Sequence, residues 1–142
     1  MTQVRFLHGA GDRIQAAAAW LAIAAAQGRQ VLVFVPQPAR AEQLDRTLWT
    51  QPATGFVAHC RADDPLAAET PIVLAGNLEQ PAHDACLLNL GDEVPPGFSR
   101  FHELVEIVSV DEQERTLGRE RFRFYRERGY PLEASDISAG IS

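Results

Sequence analysis

Residues 3–35, QVRFLHGAGDRIQAAAAWLAIAAAQGRQVLVFV, contain the pattern that decides the fold. A strand is predicted at 3–8, an alanine-rich helix at about 12–27 and a second strand at 30–35. The second strand is apolar throughout, as expected of a strand whose two faces are both covered. Strands that alternate with helices across short turns are typical of parallel βαβ units.

The rest of the chain continues this pattern. Pro38 suits the first turn of a second helix that runs to about Trp49. Further buried strands are predicted at 71–75, 84–90 and 104–110. The sequence therefore predicts an α/β fold, a three-layer Rossmann-like sandwich with a mostly parallel sheet of about five strands. Residues 1–131 are expected to form a single domain, and residues 132–142 a loosely attached C-terminal tail.

Residues 109–131, SVDEQERTLGRERFRFYRERGYP, have an unusual composition. They predict a helix with Ser109 as N-cap and Glu112 completing a capping box, while Gly129 and Pro131 mark its end. The chain has no lysine and a net charge of −6, yet six of its thirteen arginines lie on this helix. These six are Arg115, Arg119, Arg121, Arg123, Arg126 and Arg128.

Helical geometry separates the aromatic residues of this segment. Leu117, Phe124 and Tyr125 fall within a sector about 100° wide and are predicted to face the core. Phe122 projects elsewhere, and the side chains around it are those of Arg115, Arg119, Arg123 and Arg126. A ring among four guanidinium groups suits a ligand with an apolar group and a carboxylate or phosphate. The alternative is an ordinary solvated helix face.

Composition excludes several classes of protein. The apolar start is interrupted by Arg5, His8 and Asp12, so no signal peptide is indicated, and the run 16–26 is shorter than the about 20 residues of a membrane span. Two cysteines give no disulfide framework and favour a cytoplasmic protein. The acidic balance argues against nonspecific coating of nucleic acid, so any anion site must be local.

Signatures of nucleotide, metal and catalytic sites are incomplete. Gly9–Gly11 follows the first strand, but the dinucleotide fingerprint lacks its third glycine and its acidic residue. His59-Cys60 and His83-x-x-Cys86 lack the repeated spacing of structural zinc sites. We expect no catalytic constellation, metal or cofactor. A small nucleotide-binding enzyme that uses the Gly9–Gly11 turn is the alternative hypothesis.

Two further aromatic residues lie outside the predicted core. On the second helix, Ala41, Leu44 and Leu48 form the inward stripe, and Trp49 projects away from it. Phe56 follows in a loop flanked by proline and glycine. Trp and Phe are enriched in protein–protein interfaces, so this pair indicates either an interface or a satellite cluster beneath the loop.

Two motifs together resemble the chi subunit family of bacterial DNA polymerase III, and the resemblance runs nearly end to end. The first comprises AEQLDRTLW at 41–49, Pro52 and FVAH at 56–59, and the second comprises LGRERFRFYR at 117–126 with Gly129. The sequence departs from the family where Phe122 replaces a common tyrosine. Either motif alone would be modest evidence.

The resemblance implies a non-catalytic accessory subunit in DNA replication with two partners. One is the acidic, Phe-terminated C-terminal tail of single-stranded DNA-binding protein (SSB), and the other is the psi subunit of the clamp loader. Carried over by position, the tail site would comprise Arg115, Arg119, Phe122, Arg123, Arg126, Val108 and Gly129. The psi contact would involve Trp49 and Phe56. The family also pairs with an iron–sulfur helicase in repair, and direct binding of single-stranded DNA is a third hypothesis.

Overall fold

A seven-stranded parallel sheet forms the centre of the chain in a computed structural model that describes residues 1–50 and 57–141. Its strands are β1 (Gln3–Ala10), β2 (Val31–Phe34), β3 (His59–Arg61), β4 (Ile72–Ala75), β5 (Cys86–Asn89), β6 (Glu103–Ser109) and β7 (Leu132–Asp136). Their order across the sheet is β3-β4-β2-β5-β6-β1-β7, and every neighbouring pair is parallel. The predicted α/β fold is therefore confirmed.

Helices cover both faces of this sheet. They are α1 (Arg13–Ala26), α2 (Pro38–Trp49) and α3 (Glu112–Glu127). Val31 and Val33 pack with α1 and α2, whereas Leu32 and Phe34 pack with Tyr125 of α3 on the other face. This alternation gives the predicted three layers, and it explains why β2 is apolar at every position. No helix in residues 1–50 or 57–141 is long and apolar enough to cross a membrane.

The Gly9–Gly11 segment is a bulge followed by a helix cap. Strand β1 continues to Ala10, and its register with β6 shifts between His8 and Ala10. Gly9 has a φ of 85°, and a Cβ there would lie 2.7 Å from Oδ1 of Asp136. Glycine is thus favoured here by its backbone conformation. Asp12 then caps α1 by accepting a hydrogen bond from the Gln15 N–H at 2.8 Å.

The sequence did not predict strands β3 and β7. The presence of β7 changes the description of the C-terminal residues. Leu132–Asp136 forms the edge strand β7, which pairs with β1, and Ile137 and Ile141 pack against the core on the α1–α2 face. The prediction that 132–142 is loosely attached is therefore wrong for these residues. The sequence LEASD is too polar to indicate a strand, and the three residues of β3 are too few.

The N-terminal cap of α3 lies two residues later than predicted. Asp111 is the N-cap, and its Oδ2 accepts a hydrogen bond from the Glu114 N–H at 3.1 Å. Ser109 is instead the last residue of β6. Its hydroxyl donates to Oε1 of Glu114 at 2.6 Å and accepts from the Asp111 N–H at 3.2 Å. Ser109 therefore supports the cap from outside the helix.

The predicted end of α3 is confirmed. Gly129 has a φ of 77° and follows directly after the C-cap. Its N–H donates to the Arg126 carbonyl at 3.1 Å, and the Tyr130 N–H donates to the Tyr125 carbonyl at 3.2 Å. This pair of bonds is the Schellman arrangement that ends many helices at glycine.

Candidate binding cleft beside helix α3

A cleft of about 380 Å³ opens between α3 and the carboxyl ends of β1 and β6. Its walls consist of Phe6, His8, Gly9, Val108, Ser109, Val110, Arg115, Gly118, Arg119, Phe122 and Ala134. The ionisable side chains in this set are those of His8, Arg115 and Arg119, so no carboxylate is among the lining residues that the structure describes. A local site with basic walls and an apolar floor thus exists in a protein whose net charge is −6.

Gly118 sets how closely α3 approaches the sheet. A Cβ on Gly118 would lie 2.8 Å from Cγ2 of Val108, which is closer than real side chains pack. The buried residues of α3 are Gly118, Arg121 and Tyr125, three positions on one side of the helix. Helical projection had instead predicted Leu117, Phe124 and Tyr125, of which Leu117 and Phe124 are only half-buried. A glycine and an arginine give no apolar signal, so the helical projection misplaced the buried face of α3.

Phe122 lies at the boundary between the cleft and the core. Its ring is half-buried and meets the ring of Phe6 edge-on, with centroids 5.1 Å apart. The guanidinium of Arg126 lies 6.0 Å from the centre of the same ring. Arg115 and Arg119 are exposed and line the cleft beside it. The prediction that Phe122 lies outside the core is thus only partly right, because one edge of the ring packs inward.

The second predicted surface lies on the opposite layer, at the end of α2. Trp49 is 59% exposed, and its ring lies 5.0 Å from that of His59. The two ring nitrogens of His59 bond to the Val57 carbonyl at 2.7 Å and to Oδ1 of Asp45 at 2.8 Å. These bonds fix the ring beside Trp49. Phe56, the other residue predicted here, lies outside the described residues.

A buried carboxylate joins α3 to the sheet. Glu106 of β6 is fully buried, and its Oε1 accepts a hydrogen bond from Nε of Arg121 at 3.1 Å. Its Oε2 accepts from the Tyr125 hydroxyl at 2.7 Å and from Nδ2 of Asn89 at 3.0 Å. Burial, followed by the negative charge of Glu106, raises the pKa of Tyr125. Four side chains are thus arranged so that the buried charge is neutralised and its oxygens are bonded.

Comparison with known proteins identifies the family. Residues 1–133 match the family model described as DNA polymerase III chi subunit, HolC. This chain belongs to the chi subunit family. It is 35% identical over 107 residues to DNA polymerase III subunit chi of Pseudomonas aeruginosa, which covers 75% of this chain and 74% of the relative. It is 28% identical over 109 residues to the subunit of the same name from Escherichia coli, covering 76% and 74%. The resemblance drawn from the two motifs is confirmed.

The fold of this chi-family chain brings together some of the predicted tail-site residues and not others. Val108, Arg115, Arg119 and Phe122 line the cleft. Arg126 contacts the ring of Phe122 beside it. Arg123 and Gly129 are exposed and are not among the lining residues. His8 and Gly118 line the cleft but were not predicted as site residues, because nothing local to β1 or α3 shows that they meet.

Arg13 is buried at the carboxyl ends of β5 and β6, the edge at which open α/β sheets usually bind their ligands. Its Nε donates to the Ile107 carbonyl at 2.8 Å, and its terminal nitrogens donate to the carbonyls of Asn89, Leu90 and Gly91. Burial, then the charge of Arg121, lowers the pKa of Arg13 to about 10. In this chi-family chain the carboxyl ends of β5 and β6 are therefore filled by a side chain.

The histidine and cysteine pairs have structural environments. Among the residues that the structure describes, no three His, Cys, Asp or Glu side chains are grouped to hold a metal ion. Cys86 is buried in β5, where its thiol donates to Oε1 of Glu103 at 3.4 Å, and burial raises its pKa. Burial also lowers the pKa of His83. The environment of Cys86 suits a packing residue better than a metal ligand.

Proposed function

We propose that this chain is a non-catalytic adaptor of DNA polymerase III. Its cleft binds the acidic C-terminal tail of SSB, and its opposite layer binds the psi subunit, which connects it to the clamp loader. The observation that supports this most strongly is the cleft itself, with an apolar floor and only basic side chains among its ionisable lining residues. Such a site favours a ligand that combines one apolar group with negative charge.

The cleft offers each part of a Phe-terminated acidic tail a matching surface. Val108, Gly118 and Phe122 form an apolar floor for the terminal phenylalanine ring. Arg115 and Arg119 stand one helical turn apart on the α3 wall, where their guanidinium groups can bind carboxylates in pairs of hydrogen bonds. The tail then buries its ring between helix and sheet while its charges stay near the rim.

Arg119→Ala should weaken binding of an SSB tail peptide about tenfold or more, because a charge-assisted hydrogen bond contributes roughly 1.5–3 kcal/mol. Fluorescence polarisation with a labelled peptide measures this, and added salt should weaken the parent because exposed charges are screened. Arg46→Ala is the matched control, since Arg46 is an exposed arginine on α2. Equal affinity of Arg119→Ala and the parent would refute the site.

The psi surface is proposed at Trp49. The side chain is large and aromatic, lies 59% exposed at the end of α2, and is backed by the fixed ring of His59. Residues of this type and setting often dominate binding between proteins. Because α2 and α3 lie on opposite faces of the sheet, both partners can bind at the same time.

Trp49→Ala should weaken binding to the psi subunit by about thirtyfold, the effect of losing a hot-spot residue worth roughly 2 kcal/mol. The SSB tail peptide should bind this variant with unchanged affinity. Titration calorimetry with purified psi subunit makes the comparison, and Arg119→Ala serves as the reciprocal control that keeps psi binding. Undiminished binding of psi by Trp49→Ala would place the psi contact elsewhere.

A further inference from the structure

His8 stands on the sheet wall of the cleft, facing the space between β1 and α3. Side chains two residues apart on a strand share a face, so His8 points to the same side as Phe6, whose ring contacts Phe122. In the sheet His8 pairs in register with Val108 of β6, the residue that Gly118 of α3 approaches so closely. The imidazole is exposed and lines the cleft next to its floor.

The charged groups around His8 come from three elements. From α3 it faces Arg115 and Arg119, and from β7 it pairs in register with Asp136. The Asp136 carboxylate accepts a hydrogen bond from the Ser138 N–H at 2.8 Å, and its pKa is lowered by its bonds with Ser138 and, more weakly, by His8. Glu106, on β6 two residues before Val108, is enclosed by Arg121 and Tyr125.

One more carboxylate, that of Glu114 in the first turn of α3, lies near the rim and accepts a hydrogen bond from Ser109. It does not line the cleft, and neither do Asp136 and Glu106. An anion in the cleft therefore meets arginine on the helix wall and histidine on the sheet wall, whereas the neighbouring carboxylates of Asp136, Glu106 and Glu114 do not line the cleft.

We propose that His8 is a further binding residue of this cleft, and that its imidazolium binds an anionic group of the peptide from the wall opposite Arg115 and Arg119. The inference rests on the proposed function. Arginine stays charged, and peptide carboxylates stay ionised, across the range of about pH 5 to 8 in which histidine changes charge. Since a bound anion favours the protonated ring, affinity for the peptide rises as the pH falls.

The test is fluorescence polarisation of the labelled tail peptide at about pH 6 and about pH 8, the two sides of the histidine range. The parent should bind about threefold more tightly at the lower pH, as expected for one additional exposed charge pair. His8→Gln should lose this difference, and His8→Arg should bind tightly at both values. His102→Gln is the matched control, because His102 is exposed at the amino end of β6, away from the cleft.

The outcomes separate this inference from the function on which it rests. A pH difference that persists in His8→Gln, or one that is missing from the parent, would overturn the role of His8 while peptide binding stands. A parent protein that binds no peptide at either pH would overturn the proposed function and the role of His8 together. Thermal melting of His8→Gln verifies that the exposed substitution leaves the fold intact.

Discussion

Replacing Arg121 with alanine should lower the free energy of unfolding by about 3–5 kcal/mol, because the change removes the nearer of the two positive partners of the buried Glu106 carboxylate. Arg121 is 3% exposed and Glu106 fully buried, so solvent cannot take the place of the lost guanidinium. Urea denaturation followed by circular dichroism measures the difference. Some of the loss also comes from the hydrogen bond between Arg121 and the Asp92 carbonyl.

Two further variants serve as a control and as a partial rescue for this result. Arg119→Ala removes an exposed arginine from the same helix and should change stability by less than about 0.5 kcal/mol. Arg121→Met combined with Glu106→Gln removes both charges of the Arg121–Glu106 pair and should recover part of the loss, because the Tyr125 hydroxyl can still donate to the amide oxygen. If Arg121→Ala unfolded within about 1 kcal/mol of the parent, the pair would not be the anchor of α3.

Gly118→Val should destabilise the protein by about 3 kcal/mol, since the contact with Val108 leaves no space for a branched side chain. Valine forms helices slightly better than glycine, so propensity alone predicts the opposite sign. The sign of the measured change in stability therefore shows whether packing against Val108 or helix propensity dominates. The same substitution should also abolish binding of the tail peptide, because a helix that lifts from the sheet takes Arg115 and Arg119 with it.

A second substitution can test the cause. Val108→Ala removes the two methyl groups that a Cβ on Gly118 would meet. When Val108→Ala is combined with Gly118→Ala, the two changes should compensate in part. The double variant should then be more stable than the sum of the two single effects predicts. Strictly additive effects, measured in the same denaturation experiment, would show that this contact does not limit how closely α3 approaches β6.

The sequence was most informative where local rules determine the structure. The β1–α1–β2 unit follows from periodicity, and the end of α3 follows from Gly129. The edge strand β7 could not be predicted in this way. Its order depends on the hydrogen-bonding groups of β1, which are distant in sequence, and its own residues are mostly polar.

The candidate site also combines features that local sequence predicts with features that depend on contacts distant in sequence. Helical spacing brought Arg115, Arg119 and Phe122 together correctly, because they share one element. His8 approaches them only through the pairing of β1 with β6, which no local pattern encodes. Glu106 had a weak signal, a single acid within the apolar run of β6, but its hydrogen-bond partners come from two other elements, β5 and α3. Contacts of that kind arise only from the folded chain.

The buried carboxylate of Glu106 affects how the protein unfolds. Arg121 approaches it from the layer of α3, and a terminal nitrogen of Arg13, from the layer of α1, lies 4.0 Å from the same oxygen. Peeling away either helical layer would therefore leave one shared charge poorly compensated inside the remainder. Partial opening then costs nearly as much as complete opening, and we expect the two layers to melt as a single cooperative unit.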